Sequence, residues 1–213
     1  MRADRMRRLR PGPAVELYFA SAANNLAAAA RTLEEVRLES VEPHAVRVRL
    51  SAFERVSHQL TEQLVRLLVA GQFEVPDRTE LYRVGSLIDY AVDRLESAGR
   101  MIEIHRLTLF PDDVLHLIRL CADAAWVTAQ GLTLVRHPVA LPPYWLELHR
   151  ISDDADQALA RLRARPVEER CPADAAALSD IGSELADLTR LLADSARTMR
   201  GVTDRWNSVQ GSA

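Results

Sequence analysis

Residues 73–101 read FEVPDRTELYRVGSLIDYAVDRLESAGRM, and this stretch decides the fold. A turn at Val75-Pro76-Asp77 opens it. Asp77 is suited to cap the N-terminus of a helix, and Glu80 is suited to complete a capping box with it. Apolar residues then recur at three- and four-residue spacing, which predicts one long helix with an apolar face. That face comprises Leu81, Val84, Leu87, Ile88, Ala91, Leu95 and Ile102.

Two carboxylates interrupt this pattern. Asp89 and Asp93 are four residues apart, so they lie one above the other beside the apolar stripe. Like charges at this spacing destabilise a helix by a few tenths of a kcal/mol. A metal ion or an arginine would neutralise the pair. The stretch alone leaves open the alternative that both aspartates are solvated.

The composition indicates a helical protein and excludes some classes of function. Of the 213 residues, 48% are apolar, which is enough for a sizeable core, and only 5% are aromatic. The formal net charge of −3 argues against a nucleic-acid-binding protein, which would normally be basic. No apolar run approaches the roughly 18–20 residues that cross a bilayer.

The N-terminus is strongly basic. Five of the first ten residues are arginines, and no apolar segment follows them, so they do not form a secretory signal. We predict a disordered basic arm over residues 1–13, able to touch an anionic surface. Cys121 and Cys171 lack the spacing of metal ligands and the density of a disulfide framework. Two ordinary thiols of a cytoplasmic protein are the simplest interpretation.

The rest of the chain predicts five more helices, so the fold class is all-α. Helices are expected at 15–38, 43–70, 77–107, from about 110 to 132, at 144–163 and at 173–206, and no strand pattern is found between them. In the first helix the expected inward residues are Leu17, Ala20, Asn24, Ala27, Thr32 and Leu33. The three tryptophans are interpreted as core or inter-bundle anchors.

The six helices form an internal repeat. Val84-Gly85-Ser86 recurs as Ile181-Gly182-Ser183, and Phe53-Glu54 recurs as Ala155-Asp156. We therefore predict two three-helix bundles in tandem, over residues 14–107 and 110–206. Glycine within a helix costs about 1 kcal/mol relative to alanine, so two matched glycines suggest close approach of helices.

The repeat also shows an asymmetry at the acidic strip. Asp89 aligns with Ala186, and Asp93 aligns with Arg190. The first half therefore carries a carboxylate pair where the second half carries a cation.

Residues 73–101 resemble the hallmark segment of the PhoU-like family, whose members are found beside Pit-type phosphate transporters. In that family an acidic turn leads into a helix with an Asp-x-x-x-Asp pair. Here the turn is residues 76–80, and the pair is Asp89 and Asp93. The resemblance extends through residues 53–60, 150–156 and 194–196 and covers about residues 14 to 206.

This resemblance implies tandem three-helix bundles with metal clusters between the second and third helix of each bundle. It places Glu54, Asp89 and Asp93 as metal ligands in the first half. Carboxylates at this spacing suit iron, manganese or magnesium. In the second half the pattern is degenerate, because Asp156 is its surviving carboxylate. We predict that Arg190 forms a salt bridge with Asp156 there.

The function implied is that of a non-enzymatic, cytoplasmic regulator of inorganic phosphate transport. It would dock onto a Pit-type transporter or a sensor kinase. Peripheral contact with a membrane and homo-oligomerisation both remain open. The alternative is a helical scaffold or oligomerisation module that has lost its metal and is unrelated to phosphate.

An enzyme is not expected. A di-iron oxygenase would need two Glu-x-x-His motifs with glutamates from two other helices. Asp113 and His116 come closest to such a motif, and Glu54 and His58 have the wrong spacing for it.

Overall fold

A computed structural model gives the arrangement of the helices. It describes residues 13–38, 41–70, 75–107, 110–133, 142–164 and 172–211. For residues 75–76, 172–173 and 206–211 only the backbone is described. The predicted basic arm, apart from its last residue, and Cys171 lie outside the described residues.

Six α-helices make up almost all of the described chain, and no strand occurs in these residues, so the predicted all-α class is confirmed. The helices are α1 (Pro13–Glu34), α2 (Pro43–Ala70), α3 (Val75–Ile104), α4 (Asp112–Thr133), α5 (Pro142–Ala164) and α6 (Pro172–Gly211). A 3₁₀ turn, Glu35–Arg37, follows α1 and replaces the predicted last turn of that helix. No described helix is long and apolar enough to cross a bilayer.

The helices pack as two sets of three that share an extensive interface. Helices α1, α2 and α3 contact one another, as do α4, α5 and α6. The most extensive contact of all joins α3 to α6, and α1 also packs along α4. Helices α2 and α5 therefore lie on the outside. The division into two domains between α3 and α4 stays a prediction, because the halves pack closely together.

The predicted apolar stripe of α3 agrees with the observed burial, and that of α1 differs from it. In α3 all of the predicted inward residues are buried except Leu87, which is half-buried. In α1, Leu17 is 69% exposed and Asn24 is also exposed. Helix α1 packs against α2, α3 and α4, so it is buried over most of its circumference. A narrow stripe was therefore the wrong expectation.

Two further expectations are wrong. Helix α3 already begins at Val75, so Asp77 is the third residue of its first turn and does not precede the helix as a cap. Both Asp77 and Glu80 instead accept hydrogen bonds from Arg205 of α6. Trp126 is 57% exposed and is not a core anchor, whereas Trp145 is buried.

The C-terminus of α3 holds a non-glycine residue in the left-handed region. Arg106 has φ 49°, and Leu107 N–H donates to Ile102 O at 3.1 Å, as in a Schellman motif. Glycine is preferred there because it has no Cβ penalty. We expect Arg106→Gly to raise the free energy of unfolding by up to about 1 kcal/mol.

Chemical denaturation checks this effect. Arg83→Gly, at an exposed position inside α3, is the matched control and should lower stability by about 1 kcal/mol. A loss of stability in both variants would contradict this expectation. It would show that the side-chain contacts of Arg106 stabilise the fold by more than its positive φ destabilises it.

Candidate functional site

The surface between α2 and α3 holds the residues predicted as metal ligands. The two helices are antiparallel: Arg47 pairs with Glu103, Ser51 Oγ donates to Glu96 Oε1 at 3.1 Å, and His58 contacts Asp89. In these pairs the residue number on α3 decreases as the residue number on α2 increases. This register sets Glu54 at the level of Asp93 and His58 at the level of Asp89.

His58 lies between two of the predicted ligands. Its Nδ1 is 3.1 Å from both Oδ1 and Oδ2 of Asp89, and its Nε2 is 3.4 Å from Glu54 Oε1. An ionised carboxylate only accepts hydrogen bonds, so Nδ1–H donates to Asp89. We call Glu54, His58, Asp89 and Asp93 the first seam.

The charges of the first seam act on the imidazole. The hydrogen bond and the charge of Asp89 raise the pKa of His58 above its usual value, and Glu54 and Asp93 add to this increase. The ion pairs therefore stabilise the fold while His58 is protonated, and their contribution is lost as the pH rises through the raised pKa. Beneath them, burial raises the pKa of Tyr18 on α1 to about 12, with a smaller effect from Asp89.

The matching surface between α5 and α6 contains the ion pair expected from the sequence. Arg190 Nε donates to Asp156 Oδ1 at 3.0 Å, and Nη2 donates to the same oxygen. Its Nη1 donates to Asp187, one turn earlier on α6. We call Asp156, Asp187 and Arg190 the second seam.

Further ion pairs join the two halves. Arg94 of α3 donates to Glu184 of α6 at 2.8 Å. The negative charges of Asp187 and Asp93 lie close enough to act on the same guanidinium. Cross-helix ion pairs therefore connect α2 to α3, α3 to α6, and α6 to α5.

The second seam is too exposed to contribute much stability. The Arg190 and Asp156 side chains are 44% and 47% exposed, and exposed pairs are worth only about 0–1 kcal/mol. We expect Arg190→Met to change the free energy of unfolding by less than about 1 kcal/mol. Thermal unfolding checks this, and a loss of several kcal/mol would mean that the pair is effectively buried.

The arrangement of these side chains does not fit a shared metal ion. Glu54 and Asp89 each contact the ring of His58, and a guanidinium stands at the ligand position of the second seam. Among the described residues, no three His, Cys, Asp or Glu side chains are placed to hold one ion. The assignment of Glu54, Asp89 and Asp93 as metal ligands stays a prediction.

The contact of His58 with Asp89 was not predicted from the sequence, although the spacing of Glu54 and His58 pointed to it. Glu54 and His58 are four residues apart, as are Asp89 and Asp93. That spacing excludes the Glu-x-x-His motif of di-iron proteins. It does, however, place both side chains on one strip of α2, facing the aspartates once the register is known.

Comparison with known proteins gives a match in structure only. No family model matches the sequence, and no curated protein matches it. The crystal structure of a PhoU-like protein from Shewanella oneidensis MR-1 superimposes with a TM-score of 0.75 at 17% sequence identity. The match covers 90% of this chain and 99% of that one. Over most of its length, the chain therefore has a fold similar to that of a PhoU-like protein.

Proposed function

We propose that this chain is a non-enzymatic, cytoplasmic regulator of inorganic phosphate transport that acts by docking onto a phosphate transporter. The observation that carries the proposal is the PhoU-like fold, which extends over 90% of the chain. The resemblance of residues 73–101 to the hallmark segment of that family supports it independently. A sensor kinase is the other partner that the resemblance implies.

The outer surface of α2 is suited to docking. It carries an uncharged stripe of exposed residues over five turns, which we call the α2 stripe: Ala45, Val48, Ala52, Val56, Gln59 and Gln63. The side chains of Val48 and Val56 are 47% and 41% exposed. Because α2 packs mainly on α1 and α3, its outer side has no partner helix within the described residues.

The second half presents a different surface at the equivalent positions. The repeat aligns Ala45, Val48 and Ala52 with Glu147, Arg150 and Asp154 of α5. There Arg150 Nε donates to Glu147 at 3.0 Å, and Nη1 donates to Asp154. Local ion pairs thus cover this face of α5, whereas the face of α2 is left uncharged and partly apolar. We therefore place the docking surface on α2.

Phosphate uptake tests the proposal. In the organism that encodes the chain, deleting its gene should change the initial rate of phosphate uptake, and the parent chain should restore it. Val48→Asp with Val56→Asp should fail to restore it, because two carboxylates would enter the docking surface. The matched control is Gln157→Asp with Ala160→Asp, which adds the same charges at exposed positions of α5.

The outcomes separate the possibilities. Equal uptake with and without the gene, at both low and high phosphate, would contradict a role in phosphate transport. Full restoration by the Val48/Val56 variant would retain that role and reject α2 as the docking surface. A native fold of each variant is verified by circular dichroism.

An oligomerisation module unrelated to phosphate is the second candidate, and the α2 stripe favours it too. Small and uncharged side chains allow two helices to approach closely, so the stripe could pack against its copy in a second chain. Sedimentation velocity decides between them. A dimer that the Val48/Val56 variant disrupts, together with unchanged phosphate uptake, would favour the module. A monomeric parent would contradict it.

A further inference from the structure

The two seams share a charge pattern that the sequence alignment does not show. In each seam one basic side chain bridges two carboxylates. His58 lies between Glu54 and Asp89, and Arg190 contacts both Asp156 and Asp187. The pattern therefore occurs in both halves of the repeat.

The bridging basic residue lies on non-equivalent helices in the two halves. In the first seam it lies on α2, the outer helix, and in the second it lies on α6. Because the aligned residues differ, the two seams do not look alike in sequence. The similarity between the seams becomes visible only in the structure, where the packing of each helix pair brings the basic side chain next to the carboxylates.

The contacts of His58 decide whether it can be a metal ligand in this arrangement. Both ring nitrogens face carboxylate oxygens, at 3.1 Å for Nδ1 and 3.4 Å for Nε2. A histidine ligand needs one unprotonated nitrogen directed at the metal, at about 2.0–2.1 Å in zinc sites. Here the ring is used to bridge the two helices instead.

We propose that His58 and Arg190 take the place of metal ions in the two seams, so that a basic side chain of the chain itself bridges the carboxylates of each seam. The chain then has no resident metal ion. The bridges in these seams do not depend on which partner the protein binds.

The proposal predicts that removing His58 creates a cation site. His58→Ala removes the ring between Glu54 and Asp89, so that these two carboxylates and that of Asp93 are free to turn toward one another. Three carboxylates with water can then bind a hard divalent cation. Because the His58 side chain is 60% exposed, the variant is expected to fold. His58→Gln fills similar space without a charge and should behave like His58→Ala, more weakly.

Calorimetric titration with Mn²⁺ at neutral pH tests the proposal. We expect no saturable heat from the parent and a saturable heat from His58→Ala that disappears when Asp89→Ala and Asp93→Ala are added. Arg190→Ala is the matched control in the second seam. It should gain no binding, because it leaves two carboxylates instead of three.

Each remaining outcome counts against the proposal. Saturable binding to the parent that His58→Ala weakens would identify His58 as a ligand and overturn it. Saturable binding to the parent that His58→Ala leaves unchanged would overturn it as well. Absence of binding to both proteins would reject His58 as the occupant of a cation position. A failure of the phosphate-uptake experiment would not affect any of these results.

Discussion

Replacing Leu64 by alanine is expected to lower the free energy of unfolding by about 3–4 kcal/mol, within the range for fully buried leucines. Leu64 of α2 has no exposed surface, and one of its methyl groups fills a notch above Gly85 of α3. An ideal Cβ built on Gly85 would lie only 2.4 Å from Leu64 Cδ2. Truncation therefore leaves a cavity where the two helices approach closely.

Chemical denaturation measures this loss. Val69→Ala is the matched control, because Val69 lies on the same helix and is 71% exposed. It should change stability by no more than about 0.5 kcal/mol. A loss for Leu64→Ala as small as that of the control would mean that the contact between α2 and α3 is not packed as described.

Replacing Gly85 by valine should lower the free energy of unfolding by about 2–3 kcal/mol, because added atoms in a packed core force side chains from their rotamers. The built Cβ would also lie 2.6 Å from the hydroxyl of Tyr18 on α1. Both Leu64 and Tyr18 are buried, so neither can move into solvent without loss of packing.

Gly131→Ala is the control for this substitution. There the built Cβ makes an ordinary contact, 3.6 Å from Tyr144, so helix propensity should dominate. A gain of about 0.5–1 kcal/mol is expected. Stabilisation by both substitutions would contradict the close approach at Gly85.

A double-mutant cycle joins the two predictions. In the Leu64→Ala background, Gly85→Val should cost at least about 1 kcal/mol less than it does alone, because the leucine methyl no longer occupies the notch. Relief should be incomplete, because Tyr18 remains. Additivity within about 0.5 kcal/mol would show that the two positions do not touch.

Much of the fold could be predicted from the sequence because helix periodicity is a local property. The stripe of α3, which includes Leu81, Val84 and Ile102, is buried as expected apart from the half-buried Leu87. Periodicity did not predict the burial of α1, which depends on three neighbouring helices. The role of Asp77 was also predicted wrongly. Its local sequence has a capping pattern, but its side chain pairs with Arg205, which is more than a hundred residues away.

In the second seam, the ion pair could be predicted because it depends on the repeat. Alignment of Asp93 with Arg190 led to the pair between Arg190 and Asp156, which is present in the structure. His58 has no such counterpart. Its position opposite Asp89 depends on the register between α2 and α3, which the packing of whole helices determines.

Metal analysis of the protein purified without chelator tests the central claim most directly, namely that basic side chains of the chain itself take the place of metal ions in both seams. The account predicts iron, manganese and magnesium far below stoichiometric amounts, with no change when Asp89→Ala and Asp93→Ala are introduced. Stoichiometric iron or manganese in the parent, lost in that double variant, would contradict it.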